Sequence, residues 1–304
     1  MVQPPARRSH GSRLSPEWGW VSVRGEIVSR FAPSPTGYLH LGHVRSAWEG
    51  WRAARAAGGH FLLRIEDIDR TRCREVFDAA VIEDLAWLGL DWDGEVRRQS
   101  EHFDDYRTAL ARLDGAGLLY PCFCTRREIQ AEIARAGGAP QGDSGPPYPG
   151  TCRRLAPEQR TARLASGADY ALRLDVGAAL ARTGPLVWTE HDEPVAAAPQ
   201  ALGDVVLARK DAPVSYHLAV TLDDALQGVT LVTRGADLFA ATHIHRLLQA
   251  VLDLPTPRYR HHPLLTDATG RRLAKRDGAP TVRAMREAGT SPAEVLERAQ
   301  SSGR

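Results

Sequence analysis

The stretch R-F-A-P-S-P-T-G-Y-L-H-L-G-H, Arg30 to His43, decides how the rest of the chain is read. A short apolar run from Ile27 ends at Phe31-Ala32. Pro33, Pro35 and Gly37 then force a rigid turn, and an apolar-periodic segment runs from His43 to Ala57. That order is strand, turn, helix. A helix start offers unpaired N–H groups and the positive end of a dipole, so a phosphate fits there, and Gly37 and Gly42 let the chain approach it closely. His40 and His43, three residues apart, share one side of that entrance and can donate hydrogen bonds to phosphate oxygens. A Pro/Gly turn ahead of a helix is more often only a loop, so the nucleotide reading needs support from elsewhere.

Two other stretches supply it: the apolar-flanked acidic strand Leu62-Leu63-Arg64-Ile65-Glu66-Asp67 and the basic loop Gly270-Arg271-Arg272-Leu273-Ala274-Lys275-Arg276. On these residues the chain resembles the class I aminoacyl-tRNA synthetases of the glutamyl type. Arg30 to His43 is similar to their HIGH motif, and Arg272 to Arg276 to their KMSKS loop, with Arg272 and Ala274 where the family most often has Lys and Ser. The resemblance spans about Arg30 to Ala279 and is greatest to the short paralogues that consist of this region alone.

The resemblance implies an α/β fold: the Rossmann-like parallel sheet of a class I synthetase, with an inserted zinc-containing subdomain like the acceptor-binding one. It implies a cytoplasmic, monomeric ligase. L-glutamate would be activated with ATP and Mg²⁺ independently of tRNA, then transferred to the queuosine base in the anticodon stem-loop of tRNA(Asp). A truncated synthetase charging an acceptor end, or a catalytically silent tRNA- or nucleotide-binding paralogue, are the alternatives. Retention of Lys275 and both histidines argues against silence.

Residue by residue, the resemblance places His40, His43 and Lys275 where charge builds on departing pyrophosphate. Arg30, Phe31, Ala32, Pro33, Ser34, Glu66, Tyr216 and Arg234 would hold nucleotide and amino acid. An arginine suits the side-chain carboxylate of glutamate because its planar fork binds two oxygens, and neutral glutamine would leave that fork unpaired. Positioning and electrostatics would supply most of the rate, with no side-chain nucleophile.

Composition bounds the rest. At 304 residues the chain can bury one large core or two unequal ones. A formal charge of +2 gives no strong global field, so nucleic-acid contacts must come from local basic patches such as Arg97-Arg98, Arg126-Arg127 and Arg153-Arg154. No apolar run approaches the roughly 20 residues that span a bilayer, and a membrane partner is not expected. Cys122, Cys124 and Cys152 cluster while Cys73 stands apart, which favours a metal site in a reducing compartment over a disulfide framework. A C-x-C turn and Cys152 give three ligands of a tetrahedral zinc, and no histidine lies between Cys124 and Cys152 to give a fourth. Buried free thiols and a solvent-derived fourth ligand are the local alternatives. The resembling family fills the place with tyrosine, matched here by Tyr148, for one structural zinc.

In domain terms, residues 1–26 have no periodicity and are expected to be a disordered leader. Residues 27–115 read as the first half of the catalytic domain, 116–200 as the inserted zinc-binding subdomain, 201–280 as the second half with the KMSKS-like loop, and 281–304 as a short, weakly helical tail. No anticodon-binding domain is expected. Within this frame Asp69 and Thr71 are read as capping the helix that ends near Leu88, and Ser100 the next one. The apolar stretches Tyr170 to Val176, Leu186 to Trp188, Asp204 to Ala208, Tyr216 to Val220 and Val229 to Val232 read as a β-rich insertion returning to a parallel strand, with Pro194 to Ala201 exposed.

Overall fold

The computed structural model describes residues 26–125, 127–129, 147–210, 212–266 and 280–301. In chain order it opens with β1 (Val28–Phe31), α1 (Leu41–Ala56), β2 (His60–Ile65), α2 (Glu75–Trp87), β3 (Arg97–Arg98), α3 (Phe103–Gly115) and β4 (Leu119–Cys122). There follow α4 (Pro157–Ala165), β5 (Ala171–Leu174), α5 (Val176–Thr183), β6 (Val187–Glu190), β7 (Glu193–Ala196) and β8 (Val206–Arg209). The remainder is α6 (Tyr216–Leu226), β9 (Leu231–Gly235), α7 (Ala241–Val251), β10 (Arg258–His262), α8 (Val282–Glu287) and α9 (Pro292–Gln300).

Two parallel ladders meet at β1. On one side β1 pairs with β2 and β2 with β3, all parallel; on the other β9 pairs with β10 and β10 with β6, also parallel, with β7 antiparallel at the edge. Thr230 N–H donates to Val28 O at 2.9 Å and Val28 N–H to Thr230 Oγ1 at 2.9 Å, which brings β9 against β1. The order is therefore β3-β2-β1-β9-β10-β6-β7. The chain leaves β1 outward in one direction and β9 outward in the other, so the carboxyl ends of these two strands form a switch point, where open α/β sheets bind ligands.

A second, antiparallel sheet, β4-β5-β8, packs with α3, α5, α6 and α7 around Tyr106, Leu174, Leu218, Leu222 and Leu247. The other main core holds Phe61, Leu63, Val44 and Leu85. The turn after α1 shows why its two glycines are needed. Gly58 has φ +65° and its N–H and that of Gly59 close the helix on Arg55 O and Ala54 O, while a Cβ on Gly59 would meet Ile27 O at 2.0 Å.

Several sequence expectations shift. The helix after the first motif starts at Leu41, because His40 itself is its N-cap: its Nδ1 accepts from Gly42 N–H. Asp69 closes a turn on Thr71 instead of capping α2, whose N-cap is Arg74, and Ser100 binds Asp67 while α3 starts at Phe103. Tyr216 to Val220 is not a strand but the start of α6. Residues Leu218 to Ala225 of that helix are all buried, polar Thr221, Asp223 and Asp224 included, so no amphipathic stripe marks it. Leu186 to Trp188 feeds β6 of the large parallel sheet, and Pro194 lies in β7 beside it.

The tail also differs. Helices α8 and α9, with serine and threonine N-caps, bury Val282, Met285, Val295 and Ala299 in the α1–β2 core, and Val282 N–H donates to Leu39 O at 2.8 Å. No described helix is long and apolar enough to cross a membrane. The leader and the KMSKS-like loop with Lys275 lie outside the described residues.

Candidate active site

At the switch point lies an open cleft of about 410 Å³. Its walls include Arg30, Phe31, Ala32, Pro33, Ser34, His40, His43, Glu66, Tyr216 and Arg234. Ten residues scattered over 200 positions of sequence thus share one cavity, because β1, β2 and β9 deliver their carboxyl ends side by side.

The His40 and His43 rings lie against each other with centroids 3.9 Å apart and planes tilted by 33°. His40 Nδ1 accepts from Gly42 N–H at 3.1 Å, and His43 Nδ1 accepts from His40 N–H at 3.3 Å. A neutral imidazole that accepts at Nδ1 carries its proton on Nε2. Both rings are therefore fixed as Nε2–H donors at the start of α1, where the helix dipole also favours an anion.

One end of the cleft floor is an ionic cluster. Arg30 grips Asp224 with Nε–Oδ1 2.9 Å and Nη2–Oδ2 3.2 Å, and Arg64 reaches the same carboxylate at 2.7 Å. Burial pushes the Asp224 carboxyl up, but the two guanidiniums outweigh it and hold it below the usual carboxylate range. Glu66, just past β2, receives only a 3.4 Å contact from Arg64 Nη2. Burial dominates there and raises its pKa to about 7, against the pull of Arg64 and Arg30. Arg30 spends its guanidinium on Asp224 and Thr233 O, so it shapes this wall instead of presenting an unpaired charge.

At the other end Arg234 is 5% exposed and donates only to neutral groups. Nε reaches His261 Nε2 at 3.0 Å, Nη1 reaches Tyr216 Oη at 3.2 Å and His245 Nδ1 at 3.3 Å, and Nη2 reaches Thr242 Oγ1 at 2.7 Å. Among the described residues no carboxylate lies within ion-pair distance of it. The histidines stay neutral: burial drives His245 well below its ordinary value, and burial with the Arg234 charge takes His261 to about 4. His261 Nδ1–H then donates to Glu190 Oε2 at 2.7 Å, which fixes that ring. The site thus holds a desolvated, oriented positive charge that no described carboxylate compensates.

Away from the cleft, the Sγ atoms of Cys122, Cys124 and Cys152 lie within 4.8 Å of one another, with Cys124 and Cys152 3.4 Å apart. Tyr148 Oη lies 3.4 Å from Cys124 Sγ and accepts from Cys152 N–H at 2.8 Å. Zinc bonds of about 2.3 Å hold sulfurs about 3.8 Å apart in a tetrahedron, so three thiols and a phenol at these separations suit one such ion. Arg173 lies 3.9 Å over the Tyr148 ring, while burial pushes the Tyr148 phenol well above its ordinary value.

Sequence reasoning missed Asp224, Arg64, Thr242, His245 and His261. The buried D-D pair at Asp223-Asp224 inside an apolar stretch was the one available signal.

The chain matches the family of class I tRNA synthetases (E and Q), catalytic domain, over residues 26–301, and it belongs to that family. It is a ligase of the α/β class I synthetase fold. The glutamyl-Q tRNA(Asp) synthetase of Rhodobacter capsulatus is 50% identical over 276 residues, which cover 88% of this chain and 98% of the relative. That of Symbiobacterium thermophilum is 47% identical over 89% of this chain and 84% of its own. These two relatives are matched over most of their own length. Glutamate–tRNA ligase 2 of Acidithiobacillus ferrooxidans is 42% identical, but the chain covers only 55% of it. A crystal structure of a glutamate tRNA ligase from Elizabethkingia meningosepticum, in complex with its amino acid, superposes with TM-score 0.70 at 29% identity; the match takes 83% of this chain and about half, 52%, of that one.

Proposed function

We propose that this ligase activates L-glutamate with ATP and transfers it to the queuosine base in the anticodon loop of tRNA(Asp). The observation that carries the glutamate half is the uncompensated Arg234. Its remaining Nη2–H and the Tyr216 hydroxyl proton, which is left over because Oη accepts from Arg234, can take the side-chain carboxylate. Glu66 would take the ammonium group, across the same cleft. The α-carboxylate then attacks the α-phosphorus, and the Nε2–H groups of His40 and His43 meet the charge on the departing pyrophosphate. Lys275 would join them from the loop outside the described residues, and Mg²⁺ would arrive with the nucleotide. In the second step a nucleoside hydroxyl attacks the mixed anhydride and AMP leaves.

The queuosine half rests on the relatives, two of which match this chain over most of their own length under that name. The test uses labelled glutamate, ATP-Mg²⁺ and queuosine-containing tRNA(Asp) whose 3′-terminal adenosine has been removed. Label retained on the trimmed tRNA is expected. Label on untrimmed tRNA alone would favour acceptor-end charging, the reading suggested by relatives named glutamate–tRNA ligase.

Glu66 gives the reaction a pH signature. Only its ionised form binds an ammonium, and burial raises its carboxyl to about 7. The KM for glutamate in ATP–pyrophosphate exchange is therefore expected to rise as pH falls from 8 to 6, with kcat changing less. In Glu66→Gln the KM should be high throughout and flat with pH; a wild-type KM flat over the same range would discard this role.

We further propose that Cys122, Cys124, Tyr148 and Cys152 hold one structural zinc, which leaves no open position for chemistry. Metal analysis of protein purified without added zinc is expected to give about one equivalent, and Cys152→Ser to lose most of it and to melt at lower temperature. Metal content unchanged in the variant would remove Cys152 from the ligand set.

A further inference from the structure

One cation in the cleft wall has no partner in the chemistry described so far. Arg45, on α1 two residues past His43, is 8% exposed, and its Nε and Nη1 atoms are buried with no hydrogen-bond partner among the described residues. A buried guanidinium without a counter-charge is strongly unfavourable, and such a group persists where something outside the fold completes it. The nearby acids do not. Glu49 pairs with Arg52 at 2.9 Å, and Asp192 with Arg260 at 3.0 Å and Arg258 at 3.4 Å. Among the described residues no carboxylate lies within ion-pair distance of Arg45.

Its position gives the missing partner a place. Arg45, Thr233 and His262 line both the catalytic cleft and a second cavity, of about 620 Å³, behind it. Thr233 Oγ1 is also buried without a partner. His262 is committed: its Nδ1–H donates to Pro263 O at 3.1 Å, and its Nε2 lies 2.9 Å from the Ser46 hydroxyl. Of the three groups shared by the two cavities, the guanidinium and the threonine hydroxyl are the ones left to meet a ligand.

We propose that Arg45 is the binding residue of a phosphate subsite where the cleft and the rear cavity meet. The orphan N–H groups on Nε and Nη1 carry full charge and suit phosphate oxygens, and the N-terminal end of the same helix lies in the adjoining wall. The phosphate belongs either to the pyrophosphate end of the nucleotide, which rests on the ATP-dependent reading above, or to an RNA backbone. Both sources share the chemistry that Arg45 lacks in the free protein.

The test uses the whole chain, with inorganic pyrophosphate as the probe and glutamate and tRNA absent. Pyrophosphate is expected to raise the thermal midpoint of the wild type and not that of Arg45→Met. The free variant should melt no lower than wild type, because it loses a buried unpaired charge; a merely structural arginine would give a lower midpoint and an unchanged pyrophosphate shift. The KM for ATP in exchange should rise about 10- to 100-fold. A flat response to pyrophosphate and ATP with a comparable rise in the KM for tRNA would assign the phosphate to RNA. Equal pyrophosphate shifts and equal KM values for ATP and tRNA in wild type and variant would overturn the subsite. Should Arg45→Met fail to fold, Arg45→Lys decides on the same measurements, with a loss of about 10-fold expected because a point charge cannot span two oxygens. Failure of the glutamyl reading would leave the pyrophosphate titration untouched.

Discussion

Replacing Arg234 with leucine is expected to lower kcat/KM for glutamate in ATP–pyrophosphate exchange by about 10³-fold, because truncating one member of a desolvated charge pair costs several kcal/mol. Most of the loss should fall on the KM for glutamate, with the KM for ATP little changed. Selectivity should collapse together with affinity. In the wild type, glutamine would leave a buried guanidinium facing a neutral amide, and sites of this kind reject the wrong ligand by factors near 10⁴. The leucine variant should treat the two amino acids alike. An intermediate result is expected for Arg234→Lys, which keeps the charge but loses the fork that His261, His245, Tyr216 and Thr242 hold in place. If Arg234→Leu still activated glutamate with an unchanged KM, glutamate recognition would have to be placed elsewhere in the cleft.

The second large effect is on stability. Asp224 is the shared anion of Arg30 and Arg64, all three buried, so among the described residues Asp224→Asn leaves Arg30 without its charge partner and Arg64 with only the longer contacts to Glu66 and Asp223. Removing one member of a buried ionic cluster typically costs about 3–5 kcal/mol, a large part of the stability of an ordinary domain. The urea midpoint should fall accordingly, well beyond the shift from an exposed pair such as Arg52–Glu49. The pH dependence has a definite sign. The folded Asp224 carboxyl lies below its ordinary value of about 3.9, so its contribution is complete above that pH and is lost as pH falls through the lower, folded value. Equal urea midpoints for wild type and variant would mean that the cluster contributes no net stability.

The residues that read most clearly in the sequence were those whose chemistry is local. His40, His43 and Glu66 sit at strand ends and helix starts, which turn residues and apolar runs mark. The Cys122, Cys124 and Cys152 group is legible from its spacing alone. What stayed hidden is what burial conceals. Helix α6 is covered on every side, so the period of its apolar residues carries no direction, and Tyr216 to Val220 looks like a strand. Asp224 in that helix and Arg64 in β2 meet only after 160 positions of chain are brought together, and nothing local to either foretells the other. The histidines behind Arg234 come from α7 and β10, where a single imidazole in an apolar segment reads as ordinary packing. The tail looked weakly helical because α8 and α9 draw their order from the α1 core more than from their own composition.

That packed tail also acts as a mooring. The chain enters the segment that carries Lys275 just after Leu264 and Leu265, which line the cleft, and leaves it at Thr281, which bridges to His40. Lys275 is five Cα–Cα steps from Pro280, and covalent length alone keeps its Cα within about 18 Å of that point. Two short helices with no functional group of their own thereby fix the point at which the segment bearing Lys275 rejoins the fold.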